Sequence, residues 1–279
     1  MVRGLPRFRQ HFAGWDDRYV LIGGAAVDAA VDEAGLEFRV TKDLDVVLLV
    51  ESLDAEFGRR FWEFIEAGGY DHRQKSTGKA CLYRFHSPSD ESFPAMIELF
   101  ARRPDVISLP PTAILAPLPL ADEVSSLSAI LLDDDYYDYV RSGATVIDGL
   151  SMLGPEHLVP LKARAWLDLT KRRDLGERVD SNDIKKHRND VVRLYQLIAP
   201  STRVALPETV AADILAFLAN AFDDGFEPKR IGVRATVAEV VDGLREVYGV
   251  GEQVDPSASG AAYTASSSGS ANCELYSSQ

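Results

Sequence analysis

Three acidic side chains stand at spacings that could bind a metal ion. Asp43 and Asp45 lie two residues apart in the segment 41–48 (TKDLDVVL), and Glu98 lies in the segment 96–100 (MIELF). Residues two apart in a strand face the same side, roughly 6–7 Å from each other, so the two aspartates can grip one or two cations. Magnesium prefers hard oxygen ligands and keeps waters and phosphate oxygens in its shell, so carboxylates suffice without histidine or cysteine. We therefore predict a Mg²⁺ or Mn²⁺ site formed by Asp43, Asp45 and Glu98.

A pair of glycines, Gly23 and Gly24, follows the apolar run 19–22 and precedes the alanine-rich stretch 25–34. A glycine turn from strand to helix presents backbone N–H groups and the positive end of a helix dipole, which favour the phosphates of a nucleotide. Alone, a Gly-Gly pair is more often a plain turn, and an Asp-x-Asp pair in a strand is more often a solvated edge. The order of strand, glycine pair, helix, Asp-x-Asp strand and later acidic strand is one that chance seldom supplies. It predicts a site for a nucleoside triphosphate held by a divalent metal.

The third acid has a chemical role in such a site. In a two-metal site one ion activates the attacking hydroxyl and the other neutralises the leaving pyrophosphate. A carboxylate on the neighbouring strand can bind the first ion or take the proton. We assign this role to Glu98.

The first hundred residues alternate short apolar runs with helical patterns, which predicts a sheet covered by helices. Gly68-Gly69 ends the second of these helices. We expect the last two strands to be antiparallel. The predicted strands span residues 19–22, 40–50, 80–85 and 95–100, and the predicted helices span 25–34 and 53–67.

The later sequence predicts helices and then a tail. Apolar residues recur at helical spacing after Pro155, whereas the last residues are rich in serine, alanine and glycine and have little to bury. The predicted fold class is α+β, a mixed sheet with flanking helices plus a C-terminal helical bundle. The predicted parts are a catalytic core at 1–105, a proline-rich linker or peripheral layer at 106–154, a helical domain at 155–254, and a flexible tail at 255–279.

Composition excludes several classes of protein. The chain has 279 residues and a formal net charge of −13, which argues against a protein that coats nucleic acid through bulk electrostatics. A local basic patch at 171–173 and 185–188 could still contact RNA phosphates. Cys81 and Cys273 match no zinc or disulfide framework, and no stretch is long enough to cross a bilayer. We expect a cytoplasmic protein.

The string from Tyr19 to Leu48 resembles the opening of the nucleotidyltransferase superfamily, which uses a Gly-Gly or Gly-Ser turn followed by paired acids. The lead-in Thr41-Lys42 is similar to that of its AbiEii/AbiGii toxin branch, the type IV toxin–antitoxin family. Lys162 in LKARAW resembles the helical lysine motif of those proteins, and Asp190 in KHRNDVVRL resembles their later helical aspartate motif. Gly24 replaces the serine found in many members.

The resemblance implies a nucleotidyltransferase-like fold and transfer of a nucleoside monophosphate from a triphosphate to a hydroxyl, with release of pyrophosphate. It implies that Gly23, Gly24 and Lys42 bind the nucleotide, that Lys162 contacts phosphate, and that Asp190 supports the site. In characterised relatives the acceptor can be the 3′ end of transfer RNA, and a cognate antitoxin restrains the enzyme.

Other interpretations stay open at the level of sequence. Without the resemblance, Lys162 is a lysine whose stem packs while its amine reaches water, and His187 is a capped or core-edge histidine rather than a catalytic one. Lys75, Lys79 and Arg84 could reach the triphosphate. The protein could instead be a nucleotide- or antitoxin-binding module with little turnover, or a transferase acting on a small molecule such as an aminoglycoside or on a protein hydroxyl.

Overall fold

The structure is a computed structural model, and it describes most of the chain. The described residues are 3–27, 43–49, 51–76, 81–101, 133–222 and 225–251, with side chains for all of these except residues 72–83 and 101.

Seven strands of the described chain form one mixed sheet in the order β3-β4-β5-β2-β1-β7-β6. Strand β2 runs parallel to β5, and β1 runs parallel to β7, while the remaining neighbours are antiparallel. The strands are β1 (Tyr19–Ile22), β2 (Asp43–Leu48), β3 (Asp71–Ser76), β4 (Cys81–His86), β5 (Met96–Ala101), β6 (Ala144–Ile147) and β7 (Leu150–Leu153).

Helices flank this sheet and continue beyond it toward the C-terminus. They are α1 (Leu5–His11), α2 (Ala55–Gly68), α3 (Asp134–Ser142), α4 (Pro155–Asp174), α5 (Ser181–Tyr195), α6 (Glu208–Asn220) and α7 (Val237–Tyr248), with a 3₁₀ turn at Pro228–Ile231. A mixed sheet with flanking helices and a C-terminal helical bundle is the architecture that the sequence predicts, and the α+β class is confirmed.

An aromatic layer joins α1 and α2 to one face of the sheet. The ring of Phe64 in α2 lies 5.6 Å from that of Phe8 in α1, and the ring of Phe61 lies 5.6 Å from that of Phe85 in β4. Helix α2 begins where the side chain of Asp54 accepts a hydrogen bond from the Phe57 N–H, and it ends at Gly69. This layer covers one face, so the opposite face is left for the acids of β2 and β5.

The helical half is centred on α4, which packs against both α5 and α6. Trp166 of α4 meets Phe217 of α6 edge to face, with ring centroids 5.4 Å apart. Pro155 occupies the first turn of α4, where the missing N–H costs no helical hydrogen bond. Helix α4 therefore has a fixed position, which matters because it carries Lys162.

A partly buried polar network ties α3, α4 and α6 together. The Tyr136 hydroxyl donates to Oδ2 of Asp213 at 2.8 Å, and Nη1 of Arg164 donates to both oxygens of Asp213 at 2.9 and 3.0 Å. Tyr136 is almost fully buried. Because a buried hydroxyl that loses its acceptor pays a desolvation cost, Asp213 holds the three helices in register.

The segment 106–154, expected to be a linker or peripheral layer, is described over residues 133–154. Residues 102–132 lie outside the described residues, but β7 is fully buried and lies beside β1 within the sheet. A two-residue turn joins β6 to β7, with φ of 52° at Asp148 and 73° at Gly149. Asp-Gly is the dipeptide that such a hairpin turn favours, because both positions need positive φ.

Other predictions concern residues that the structure treats only in part. The tail at 255–279, with Cys273, lies outside the described residues, as do Lys42 and Lys79. Of the predicted helix 25–34 only residues 25–27 are described, and they are helical together with Gly23 and Gly24. None of the described helices is both long enough and apolar enough to span a membrane.

Replacing Asp213 by alanine should destabilise the fold by about 2 kcal/mol, because the buried Tyr136 hydroxyl loses its acceptor and Arg164 loses its counter-ion. Urea unfolding followed by circular dichroism measures this change. The matched control is Asp138→Ala in α3, which removes an exposed i,i+3 pair with Arg141 and should change stability by less than about 0.5 kcal/mol. Equal effects of the two substitutions would show that the network does not hold the helices.

Candidate active site

The three predicted acids lie on two neighbouring parallel strands. Asp45 of β2 is in register with Glu98 of β5, and Asp43 is in register with Met96. Neighbouring residues in register share a face of the sheet, so Asp45 and Glu98 stand side by side with Asp43 two residues earlier on the same face. Asp45 is half-buried, and Glu98 is 5% exposed. The strand pairing that periodicity could not fix thus brings the acids together.

These carboxyls are crowded, and their acidity reflects it. Burial, together with the negative charges of Glu98 and Asp43, raises the pKa of Asp45 to about 8, and the charge of Lys162 opposes this rise. Burial also raises the pKa of Glu98, against the lowering effect of Arg84. A hydrogen bond joins the side chains of Asp45 and Glu98, so in the metal-free protein these two acids share a proton.

The glycine turn lies against this pair. Gly23 follows β1 with a φ of 69°, and a Cβ at this position would overlap Oδ2 of Asp45. Any other residue would be strained there and would displace the carboxylate. Gly24 is next in the chain and is partly buried. Lys42, the third residue assigned to the nucleotide by resemblance, lies outside the described residues.

Lys162 and Asp190 reach the same place from the helical half. Nζ of Lys162 in α4 lies 3.3 Å from Oδ2 of Asp190 in α5, and the two side chains are 16% and 13% exposed. Nη1 of Arg193 lies 3.8 Å from the other oxygen of Asp190. The charge of Lys162 also lowers the pKa of Asp45. The amine is therefore paired with Asp190 and mostly shielded from water.

Arg84 is paired with one of the three acids. It is in register with Glu98 across the antiparallel pair of β4 and β5, and its Nε donates to Oε1 of Glu98 at 2.7 Å. The structure gives Arg84 an acidic partner in Glu98, and its reach to a triphosphate stays a prediction. The missed signal is the opposite charge of two residues that face each other in the predicted hairpin. The side chain of Lys75 is not described.

His187 lies one helical turn before Asp190 and is buried in α5. Burial lowers its pKa well below the usual range, and the charges of Lys162 and Lys186 lower it further. The imidazole is therefore neutral at pH 7.

A divalent cation fits the chemistry of the acids, although they do not form a preformed ligand cage. Among the described residues, no three His, Cys, Asp or Glu side chains are grouped so as to hold a metal ion. Asp43, Asp45 and Glu98 nevertheless supply hard oxygen donors, and their mutual repulsion raises the pKa of Asp45. A bound cation would relieve that repulsion by replacing the shared proton.

Comparisons with known proteins give little further information. A search of protein-family models finds no match, and a search of curated protein sequences finds none either. A solved structure that is similar to the chain is that of an antigenic nucleotidyltransferase-like protein from Paracoccidioides brasiliensis, at 13% identity and a TM-score of 0.43. The similarity covers 88% of this chain and 91% of that chain.

The shared proton predicts how stability depends on pH in the metal-free protein. The folded pKa of Asp45, about 8, lies above its ordinary value of 3.8. Its stabilising contribution is therefore complete below pH 3.8 and is lost as the pH rises toward 8. We expect the free energy of unfolding of the wild type, relative to Asp45→Asn, to fall by up to about 1.4 kcal/mol per pH unit in this window.

Urea unfolding in buffers that contain a chelator measures this difference. The control is Asp138→Asn, whose exposed carboxyl should give a curve parallel to that of the wild type. Parallel curves for Asp45→Asn as well would show that Asp45 does not hold a proton in the folded state.

Proposed function

We propose that the protein is a metal-dependent nucleotidyltransferase, which transfers a nucleoside monophosphate from a triphosphate to a hydroxyl group and releases pyrophosphate. One observation carries the proposal. The acids of β2 and β5 stand side by side, and Lys162, more than sixty residues later in the chain, acts on the same carboxylate that lies against Gly23. This arrangement supports the proposal.

The proposed reaction assigns a task to each side chain. The acceptor hydroxyl oxygen attacks the α-phosphorus, the bond from that phosphorus to the bridging oxygen breaks, and pyrophosphate leaves with the electron pair. A bound Mg²⁺ or Mn²⁺ would neutralise phosphate charge and activate the hydroxyl. Asp43 and Asp45 would hold the cation. Glu98 would bind it too or take the hydroxyl proton, since a carboxyl with a raised pKa is a competent base near neutral pH.

The remaining groups would position the triphosphate. Gly23 and Gly24 would offer backbone N–H groups at the start of a helix. Lys162 would place its charge against a phosphate, while Asp190 fixes the amine by the 3.3 Å ion pair. Since the pair is mostly buried, the lysine has a fixed position before any nucleotide binds, which lowers the cost of ordering it.

RNA is the acceptor that we propose first, with the chain acting as the toxin of a toxin–antitoxin pair. The support is the resemblance of the helical motifs, together with the basic residues at the adjoining ends of α4 and α5. Two of those cations are paired, Arg172 with Glu177 at 2.8 Å and Arg173 with Asp174 at 3.0 Å. Exposed pairs of this kind are weak, so RNA phosphates could displace the acids.

Transfer should be measured with each α-labelled nucleoside triphosphate in Mg²⁺, with total RNA, a protein extract and an aminoglycoside as separate acceptors. We expect label in RNA, and a fall of at least about 100-fold in Asp43→Asn, because that variant loses a ligand of the cation. Asp138→Asn, an exposed aspartate replaced in the same way, should retain wild-type transfer.

The outcomes separate the alternatives. Transfer that persists in Asp43→Asn would remove the acids from the mechanism. Label in the aminoglycoside or in protein would keep the transferase and change the acceptor. Tight binding of a triphosphate by calorimetry, with no transfer to any acceptor, would indicate a binding module.

The toxin role gives a separate prediction in cells. Induced expression of the wild-type chain should arrest growth, because nucleotides added to RNA ends block translation, and expression of Asp43→Asn should not. Growth curves and plating after induction measure the effect, with matched protein levels checked by immunoblot. Equal growth in the two cultures would contradict the toxin role without touching the transferase assignment.

A further inference from the structure

Two cations, one from α4 and one from α5, share the carboxylate of Asp190. Nζ of Lys162 lies 3.3 Å from Oδ2 of this residue, and Nη1 of Arg193 lies 3.8 Å from Oδ1. The charge of Lys162 also lowers the pKa of Asp45. The interactions therefore run from Asp45 through Lys162 and Asp190 to Arg193, and Arg193 is the last member of this row.

The pair of Asp190 and Arg193 differs from an ordinary surface pair. The two residues are three apart in α5, a spacing at which opposite charges often form a weak, solvated contact. Their side chains are 13% and 31% exposed. Other pairs of the same spacing in the described part of the chain have side chains that are at least 40% exposed. Arg193 therefore lies in a partly enclosed place beside Lys162 rather than on an open helix surface.

The chemistry of a guanidinium suits a second partner at this place. At 3.8 Å the contact of Nη1 with Oδ1 of Asp190 is too long for a hydrogen bond, although it holds the guanidinium near the carboxylate. A guanidinium has five N–H donors in a planar fork that matches the oxygens of phosphate. Arg193 can therefore keep its ion pair with Asp190 and also donate to a phosphate oxygen.

We infer that Arg193 binds the pyrophosphate end of the triphosphate, which consists of the β- and γ-phosphates. The inference rests on the proposed function, because in that reaction the α-phosphate lies at the acids and the pyrophosphate leaves. Lys162 acts on Asp45 and so lies at the phosphate nearest the acids, whereas Arg193 contacts the opposite oxygen of Asp190 and lies at the outer phosphates. Arg193 is also the more exposed cation, 31% against 16% for Lys162, which fits a group that releases pyrophosphate to solvent.

Two variants and a matched control test this assignment. Arg193→Gln removes the charge and the fork of donors, and Arg193→Lys keeps the charge. The control is Arg141→Gln in α3, because Arg141 also follows an aspartate by three residues and lies 3.6 Å from it, at an exposed position. Circular dichroism checks that each full-length variant is folded.

Calorimetry in Mg²⁺ buffer measures the binding of inorganic pyrophosphate, each nucleoside triphosphate and each nucleoside monophosphate. For Arg193→Gln we expect the Kd for pyrophosphate and triphosphate to rise about 10-fold, as for the loss of one charge-assisted hydrogen bond. The Kd for the monophosphate should stay within about 2-fold, because that ligand has no outer phosphates. Arg193→Lys should stay within about 3-fold of the wild type for all ligands, and Arg141→Gln within about 2-fold.

A second measurement needs no substitution. Phenylglyoxal modifies guanidinium groups, and peptide mass spectrometry locates the modified residues. Saturating pyrophosphate should prevent the modification of Arg193 in the wild-type chain and leave that of Arg141 unchanged. A nucleoside monophosphate should protect neither residue.

The outcomes separate this inference from the proposed function. A wild-type chain that binds neither pyrophosphate nor triphosphate, and transfers no nucleotide, overturns both. A wild-type chain that transfers nucleotide, with an unchanged Kd for pyrophosphate in Arg193→Gln or no protection of Arg193, overturns the inference alone. Equal weakening of all three ligands would show that Arg193 only supports the fold, and a rise confined to the KM for RNA would assign it to the acceptor. Either result also overturns the inference.

Discussion

The organisation of this protein depends on placing two carboxylates next to each other on parallel strands. Asp45 and Glu98 share a register position, and burial makes their joint ionisation unfavourable. Like charges at such a distance persist in a fold only when protons, cations or both offset them. The sheet provides one offset through Arg84 and the helical half provides another through Lys162. The two halves of the chain are therefore coupled electrostatically at the acids.

The helical half must therefore hold Lys162 in a fixed position. Lys162 can act on Asp45 only if α4 is held at a fixed position over the sheet. The packing of Trp166 on Phe217 and the ion pair of Arg164 with Asp213 provide that position from the side of α6. Asp190 then orients the amine from α5. The packing of the helices therefore determines the position of the positive charge that acts on Asp45.

The sequence predicted the parts of this arrangement that are local. The strand–glycine–helix order, the Asp-x-Asp spacing and the Gly69 helix end follow from periodicity and from backbone preferences, and the structure contains them. Lys162 and Asp190 were found by resemblance, since a lone lysine and a lone aspartate on helices carry no local signal.

The features that could not be predicted from the sequence depend on contacts between distant segments. The parallel pairing of β2 with β5 joins residues more than fifty apart, and the buried strand β7 reaches β1 from more than a hundred residues away. The partner of Arg84 required the register of β4 and β5. The hairpin at Asp148-Gly149 is a different case, because its turn follows from a local dipeptide that favours positive φ at both positions.

The charges around the acids explain why a cation and a triphosphate would bind together. Within the described residues the arrangement contains four carboxylates, those of Asp43, Asp45, Glu98 and Asp190, and three cations, Arg84, Lys162 and Arg193. Fully ionised, it carries one net negative charge and repels a nucleotide; with the shared proton it is neutral. A divalent cation in place of the proton leaves one net positive charge, which attracts a triphosphate. Under the proposed function, exchange of the shared proton for a cation would convert the acids from a barrier to phosphate into a binding site.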